Sequence, residues 1–116
     1  MPLPTGDPTD LNAVKAQLTI GDDVDDVRLT PYVLAVNVVV SGLPKAARLE
    51  QDPPLDEWPA DLRLGAAMLG ARLWRRRSSP DGIAAFSDQG AIYIQRNDPD
   101  IAMLLGLGAW GRPAVG

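Results

Sequence analysis

Apolar positions along this chain recur mostly at helical spacing, in short segments broken by Gly and Pro. Leu11, Val14 and Leu18 fall on one face of a first helix. Asp7 is placed to cap it, Pro8 to take its first helical position and Asp10 to add charge in the first turn; Gly21 stops it. Residues 1–6 ahead of it read as a flexible arm. The clearest helix spans 59–77: Pro59 and Asp61 mark its start, and Leu62, Ala66, Leu69 and Leu73 line one face. Leu64, Ala67, Met68, Ala71 and Trp74 cover much of the opposite side. A helix that is apolar on two sides needs two partners, and the small residues Gly65 and Gly70 would let another backbone come close. One partner can be the chain's own core; the other is expected to be a neighbouring subunit. A last helix opens at Asp98-Pro99-Asp100, turns Ile101, Leu104 and Leu105 inward, and ends at Gly106 or Gly108.

Two stretches follow a different pattern. Residues 24–43 contain Val33-Leu-Ala-Val-Asn-Val-Val-Val40, which propensity alone reads equally as a buried strand or as a helix bent by Pro31. In the helical reading Val33, Val36 and Val40 form a stripe, and the polar Asn37 needs a partner, for which a neighbouring chain is one source. Ile83-Ala-Ala-Phe86 and Ala91-Ile-Tyr-Ile94 flank Ser87-Asp-Gln-Gly90, the pattern of a β-hairpin. Residues 44–58 read as a charged, Pro-containing connection closed by Trp58. Ala109–Gly116 is a tail anchored by Trp110.

Composition narrows the chemistry. The 116 residues suit one domain and contain neither Cys nor His, so thiolate nucleophiles, disulfides, zinc–thiolate sites and the usual neutral-pH acid–base group are missing. No catalytic, cofactor-binding or metal-binding residue is expected. The Asp22, Asp23, Asp25, Asp26 cluster lacks the Gly and Glu spacing of an EF-hand and reads as a second helix start capped by Asp22 or Asp23. No apolar run is long enough to span a bilayer, and no signal peptide is visible. Charge is split: residues 1–62 hold eleven acidic and four basic groups, residues 63–116 four and seven. Such halves could pack head to tail between copies. The cluster Arg72, Arg75, Arg76, Arg77 is the one nucleic-acid candidate, and a small DNA- or partner-binding regulator is the alternative function it supports. Helix termination and salt bridges to the acidic half account for it more simply.

Trp58-Pro-Ala-Asp-Leu-Arg-Leu-Gly-Ala-Ala-Met-Leu-Gly-Ala-Arg-Leu-Trp-Arg-Arg-Arg-Ser-Ser-Pro80 resembles the long helix and following loop of head–tail connector (adaptor) proteins of long-tailed bacteriophages. Gly82-Ile-Ala-Ala-Phe86 and Asp98-Pro-Asp-Ile-Ala-Met-Leu-Leu-Gly-Leu-Gly108 continue the likeness, which is strongest over residues 58–116. The resemblance implies a mainly α fold, a small bundle of about four helices with a short β-hairpin between the last two, and so tips residues 24–43 towards helix. It implies a non-enzymatic virion protein without cofactor, assembled in the host cytoplasm into a homo-oligomeric ring, commonly of twelve copies. The ring docks on the portal protein, meets a downstream neck or tail-completion protein, and lets genomic DNA pass through its lumen without sequence-specific binding. On this reading Leu64, Met68, Ala71 and Trp74, with Arg72, Arg75 and Arg76, form the subunit interface. Phe86, Tyr93, Trp110 and Arg112 reach the portal or neck.

Overall fold

A computed structural model describes residues 2–77, 94 and 98–108. Among them lie five helices: α1 (Leu11–Leu18), α2 (Asp26–Ser41), α3 (Pro44–Ala47), α4 (Ala60–Arg75) and α5 (Pro99–Leu105). Helix α4 is the axis of the fold, with α1 and α2 packed on one side and α5 on another.

The expected β-hairpin is overturned where the structure describes it. No strand occurs among the described residues, and Ile94, expected in the second strand, is helical. Its carbonyl accepts a hydrogen bond from the Asp98 amide at 2.8 Å, an i to i+4 pairing. The rest of the hairpin segment, like the 109–116 tail, lies outside the described residues. Apolar periodicity over so short a run cannot tell a buried helical turn from a strand. The stretch expected as a connection opens with the short α3, where Pro44 stands at the first helical position and its missing N–H costs nothing.

Residues 24–43 resolve as a helix despite six valines between 27 and 40. Leu29, Val33, Val36 and Val40 are buried at 4-3-4 spacing, and this packing outweighs β-branched propensity. Pro31 sits inside α2 on its exposed side, so the Val27 carbonyl that loses its partner faces water.

Both apolar sides of α4 are mostly covered by its own chain, Leu64 alone among the apolar residues of its second side remaining exposed. Leu62, Ala66, Leu69 and Leu73 join Val36, Val40, Trp58, Ile101 and Leu105 in the main core. Trp74 lies in a second cluster with Val14, Leu29 and Val33. The two glycines mark the tightest approaches: a Cβ on Gly65 would stand 2.7 Å from Leu105 Cδ2, and one on Gly70 2.8 Å from Val14 Cγ2. The close approach inferred from these glycines is therefore made by α5 and α1 of the same chain, not by a neighbour.

The N-terminal residues also differ from expectation. Residues 2–6 are tied down by Gln51 N–H to the Pro2 carbonyl (3.0 Å), Thr5 N–H to the Leu55 carbonyl (2.9 Å) and Trp58 Nε1–H to the Gly6 carbonyl (2.9 Å). Helix α1 starts later than Asp7-Pro8 suggests. Asp10 is its cap, accepting from the Ala13 amide at 2.8 Å. The cause is long-range: Asn37 of α2 pairs with both backbone groups of Thr9, donating to its carbonyl (3.0 Å) and accepting from its amide (2.9 Å), which holds Thr9 out of the helix. Thr19 in the left-handed region, rather than Gly21, closes α1. The α2 cap is Asp25, and it makes no side-chain capping bond; Asp22 instead closes a local turn onto the Val24 amide.

Lys45 joins three elements. Its ammonium pairs with Asp61 in the first turn of α4 and donates to the Leu104 carbonyl at the end of α5. Partial burial acts to raise the pKa of Asp61, but the Lys45 hydrogen bond, the Leu62 amide and the Lys45 charge together outweigh it and hold the carboxyl below its ordinary value of 3.8. A carboxyl depressed in the folded state stabilises the fold above the unfolded pKa, and the contribution is lost as pH falls through the folded value. Asp61→Asn is therefore expected to cost about 0.5–1 kcal/mol at pH 7, a figure kept small because solvent screens a half-exposed pair. The difference from the unsubstituted chain should shrink as the pH is taken below the ordinary carboxyl value of 3.8 in parallel urea titrations.

Candidate functional site

The expected interface residues on α4 differ in burial. Ala71 and Trp74 are buried inside the chain, Trp74 meeting Tyr32 edge-on at 5.6 Å between ring centroids. Met68 is half-buried against the main core. Leu64 and Arg75 remain exposed. Phe86, Tyr93, Trp110 and Arg112 lie outside the described residues.

The arginines at the end of α4 are committed within the chain. Asp98 is fully buried and faces two of them: Arg72 pairs with its Oδ1, and Arg76 reaches Oδ2 at 3.0 Å and Oδ1 at 3.1 Å. Arg72 also pairs with Asp100 at 3.0 Å. Arg75 donates to the Gln17 carbonyl, and the Arg77 guanidinium stacks 3.8 Å from the centre of the Trp74 ring while donating to the Trp74 carbonyl. Asp98 was expected to cap α5. It stands at the cap position, but its side chain is turned to the arginines and makes no capping bond. A guanidinium already paired with a buried carboxylate offers little net charge to a phosphate backbone.

The surface that lacks a partner within the described residues is the outer face of α2. Val27 is 87% exposed, Val38 75% and Leu34 59%, and Val24 in the turn before the helix is 78% exposed. Together with Pro31 and Ser41 these residues recur at 3-4 spacing, which places them along one seam of the helix. At its C-terminal end the seam borders a shallow groove of about 530 Å³ lined by Asp7, Leu34, Asn37, Val38, Ser41 and Gly42. Most of the large exposed apolar side chains among the described residues stand here; the others are Leu64 and Met103. Contiguous apolar surface of this kind marks an interaction site more often than a scatter of single residues does.

Sequence reasoning missed this face because it followed the inner stripe Val33, Val36, Val40. The available signal was that the segment is apolar on every side. A helix of that kind has more apolar surface than one core contact can cover. Among the described residues no group of three or more carboxylates is placed to hold a metal ion, and no helix is long and apolar enough to cross a membrane. Comparison with protein-family models, with curated proteins and with solved structures gives no match.

Proposed function

We propose that this chain is a structural subunit of the head–tail connector of a long-tailed bacteriophage. Copies form a ring on the portal that extends the DNA channel towards the tail. The observation that carries the assembly part of this reading is the exposed apolar face of α2, Val24 to Val38, which a neighbouring subunit would cover. The phage part is supported by the resemblance of residues 58–116 alone. In such a ring the contact is heterologous, with the α2 face meeting a different surface on the next copy. Exposed carboxylates such as Asp22, Asp23, Asp52 and Glu57 suit a lumen along which phosphates slide without sticking. Residues 109–116, with Trp110 and Arg112, are proposed to contact the portal or the next neck protein. The regulator reading is disfavoured by the internal pairing of Arg72 and Arg76.

The test is localisation in assembled particles. Cryo-electron microscopy of virions carrying a tagged copy should place the chain in a ring between head and tail. A chain found elsewhere, or binding of the isolated protein to short duplex DNA with a steep salt dependence, would replace the connector reading with the regulator one. Removal of residues 109–116 should lower the yield of DNA-filled, tailed particles.

A further inference from the structure

The exposed α2 seam has the spacing to pair with a second copy of itself. At the N-terminal end Val24 and Val27 project, the latter almost wholly solvated. At the C-terminal end Leu34 and Val38 are exposed as well, Val38 to 75%, and a shallow groove lined by Asp7, Ser41 and Gly42 lies beside them. The spacing is palindromic. When two such helices lie antiparallel, Val24 meets Ser41, Val27 meets Val38 and Pro31 meets Leu34 of the other copy. Val24, Val27 and Val38 are thus each covered, twice in one contact.

Charge follows the same order. The groove end carries Asp7 and, beyond α3, the exposed Arg48. The N-terminal end carries the exposed carboxylates Asp22 and Asp23; Arg28 there is paired within its own copy with Asp25 at 3.5 Å and lies over the Trp74 ring. Antiparallel pairing brings the acidic end of one copy, with Asp22 and Asp23, towards the end of the other that carries Arg48. Parallel pairing would set like ends together. The macrodipoles of the two helices also oppose each other favourably when antiparallel.

We infer that the free chain pairs with a second copy of itself through the outer faces of α2, antiparallel and about a two-fold axis between Pro31 and Leu34. Because both copies use the same helix face, each copy's face is fully occupied by the other, so the contact closes at two and does not propagate. This goes beyond the connector reading and does not need it. If the ring also uses the α2 face, the pair comes apart on assembly and keeps that face covered until then. One helix against one helix lies at the small end of specific interfaces, so the pair should be weak, with a dissociation constant on the order of 10 μM or above.

The chain has no cysteine, which makes the test direct. Sedimentation of the intact protein from about 1 μM to about 1 mM, a range that brackets this affinity, should show the mass rise from 12.4 kDa towards twice that value. Val38→Asp, at an exposed position where folding is unaffected by circular dichroism, should raise the dissociation constant about tenfold or more. Cysteine cross-linking fixes the orientation. Val27→Cys and Val38→Cys each alone should stay uncross-linked under mild oxidation, because in an antiparallel pair identical positions lie about 16 Å apart along the axis. An equimolar mixture should yield a covalent heterodimer. A mass that never changes with concentration, self-cross-linking of Val27→Cys alone, or an unaltered Val38→Asp would each overturn the pairing. A ring-sized species formed by the isolated chain would also overturn it while leaving the connector reading intact.

Discussion

Exchanging Arg72 and Arg76 together for leucine is expected to destabilise the protein by about 3–5 kcal/mol. The reason is asymmetric burial. Both arginines keep about a third of their side-chain surface in water, whereas Asp98 between them has none. Removing the cations leaves a carboxylate that can neither be solvated nor paired with them, and such a stranded charge is worse than no charge at all. Adding Asp98→Leu to the double variant should therefore recover more than half of the loss. Guanidinium unfolding monitored by circular dichroism measures both steps. Against a total stability of about 5–15 kcal/mol for a domain of this size, the double variant should be partly unfolded at 37 °C. A loss below about 1 kcal/mol would show that Asp98 finds another partner, and the account of the triad would be wrong.

Asn37→Leu should cost about 2–4 kcal/mol, although leucine would lie comfortably among the valines of α2. Here the loss falls on the partner. Thr9 is 6% exposed, and both its amide and its carbonyl depend on the Asn37 carboxamide. Its hydroxyl is already buried without a partner among the described residues. With Asn37 gone, three polar groups of one residue would be buried unpaired, and the segment before α1 must move into water to satisfy them. Hydrogen exchange should therefore quicken at residues 5–10 well before the α4 core is affected. Asn37→Asp keeps the acceptor for the Thr9 amide but loses the donor to its carbonyl, so its exchange pattern should fall between the two. Equal acceleration throughout the chain would mean that Asn37 supports the core itself rather than the N-terminal run.

These two sites show where local reading stops. Asn37 stood out in the sequence as a polar residue in an apolar run, and its need for a partner followed directly. That the partner is the backbone of Thr9, twenty-eight residues away and not on a neighbouring chain, depends on how α1 and α2 cross. Asp98 stood out as a helix cap by its place before Pro99. The same position brings it against the end of α4, where two guanidinium groups draw the carboxylate more strongly than the free amides of a short helix can. In both cases the residue was noticed for a sound reason, and tertiary contact chose a different use.

The limits of α4 illustrate what needs no tertiary knowledge. Pro59, Asp61 and the leucine spacing place it within a residue or two, because capping and 3.6-residue periodicity act inside the element itself. The C-terminal glycine of α5 is legible for the same reason: a left-handed φ of 70° at Gly106 favours the residue without a Cβ. The hairpin failed because its runs were short. Over four residues the periods of 2 and 3.6 are hardly distinct, and Ile94 is drawn into a helical turn by burial in the core.

By itself, then, the sequence determined that this chain is mainly helical, that His and Cys chemistry is closed to it, and that it has more apolar helix surface than a small core readily covers. Each of these depends on residue type or on spacing within one element. Only the tertiary structure decided which surface is left over. The helix 59–77 was expected to turn its second apolar side to a neighbour, and α1, α2 and α5 cover most of it instead, leaving Leu64 outside. Close packing at Gly65 and Gly70 lets them come near enough to do so. The excess passes to α2, which is apolar all round but can bury only the side that faces α4. The outward valines are exposed because the core has room for one face of that helix and not two.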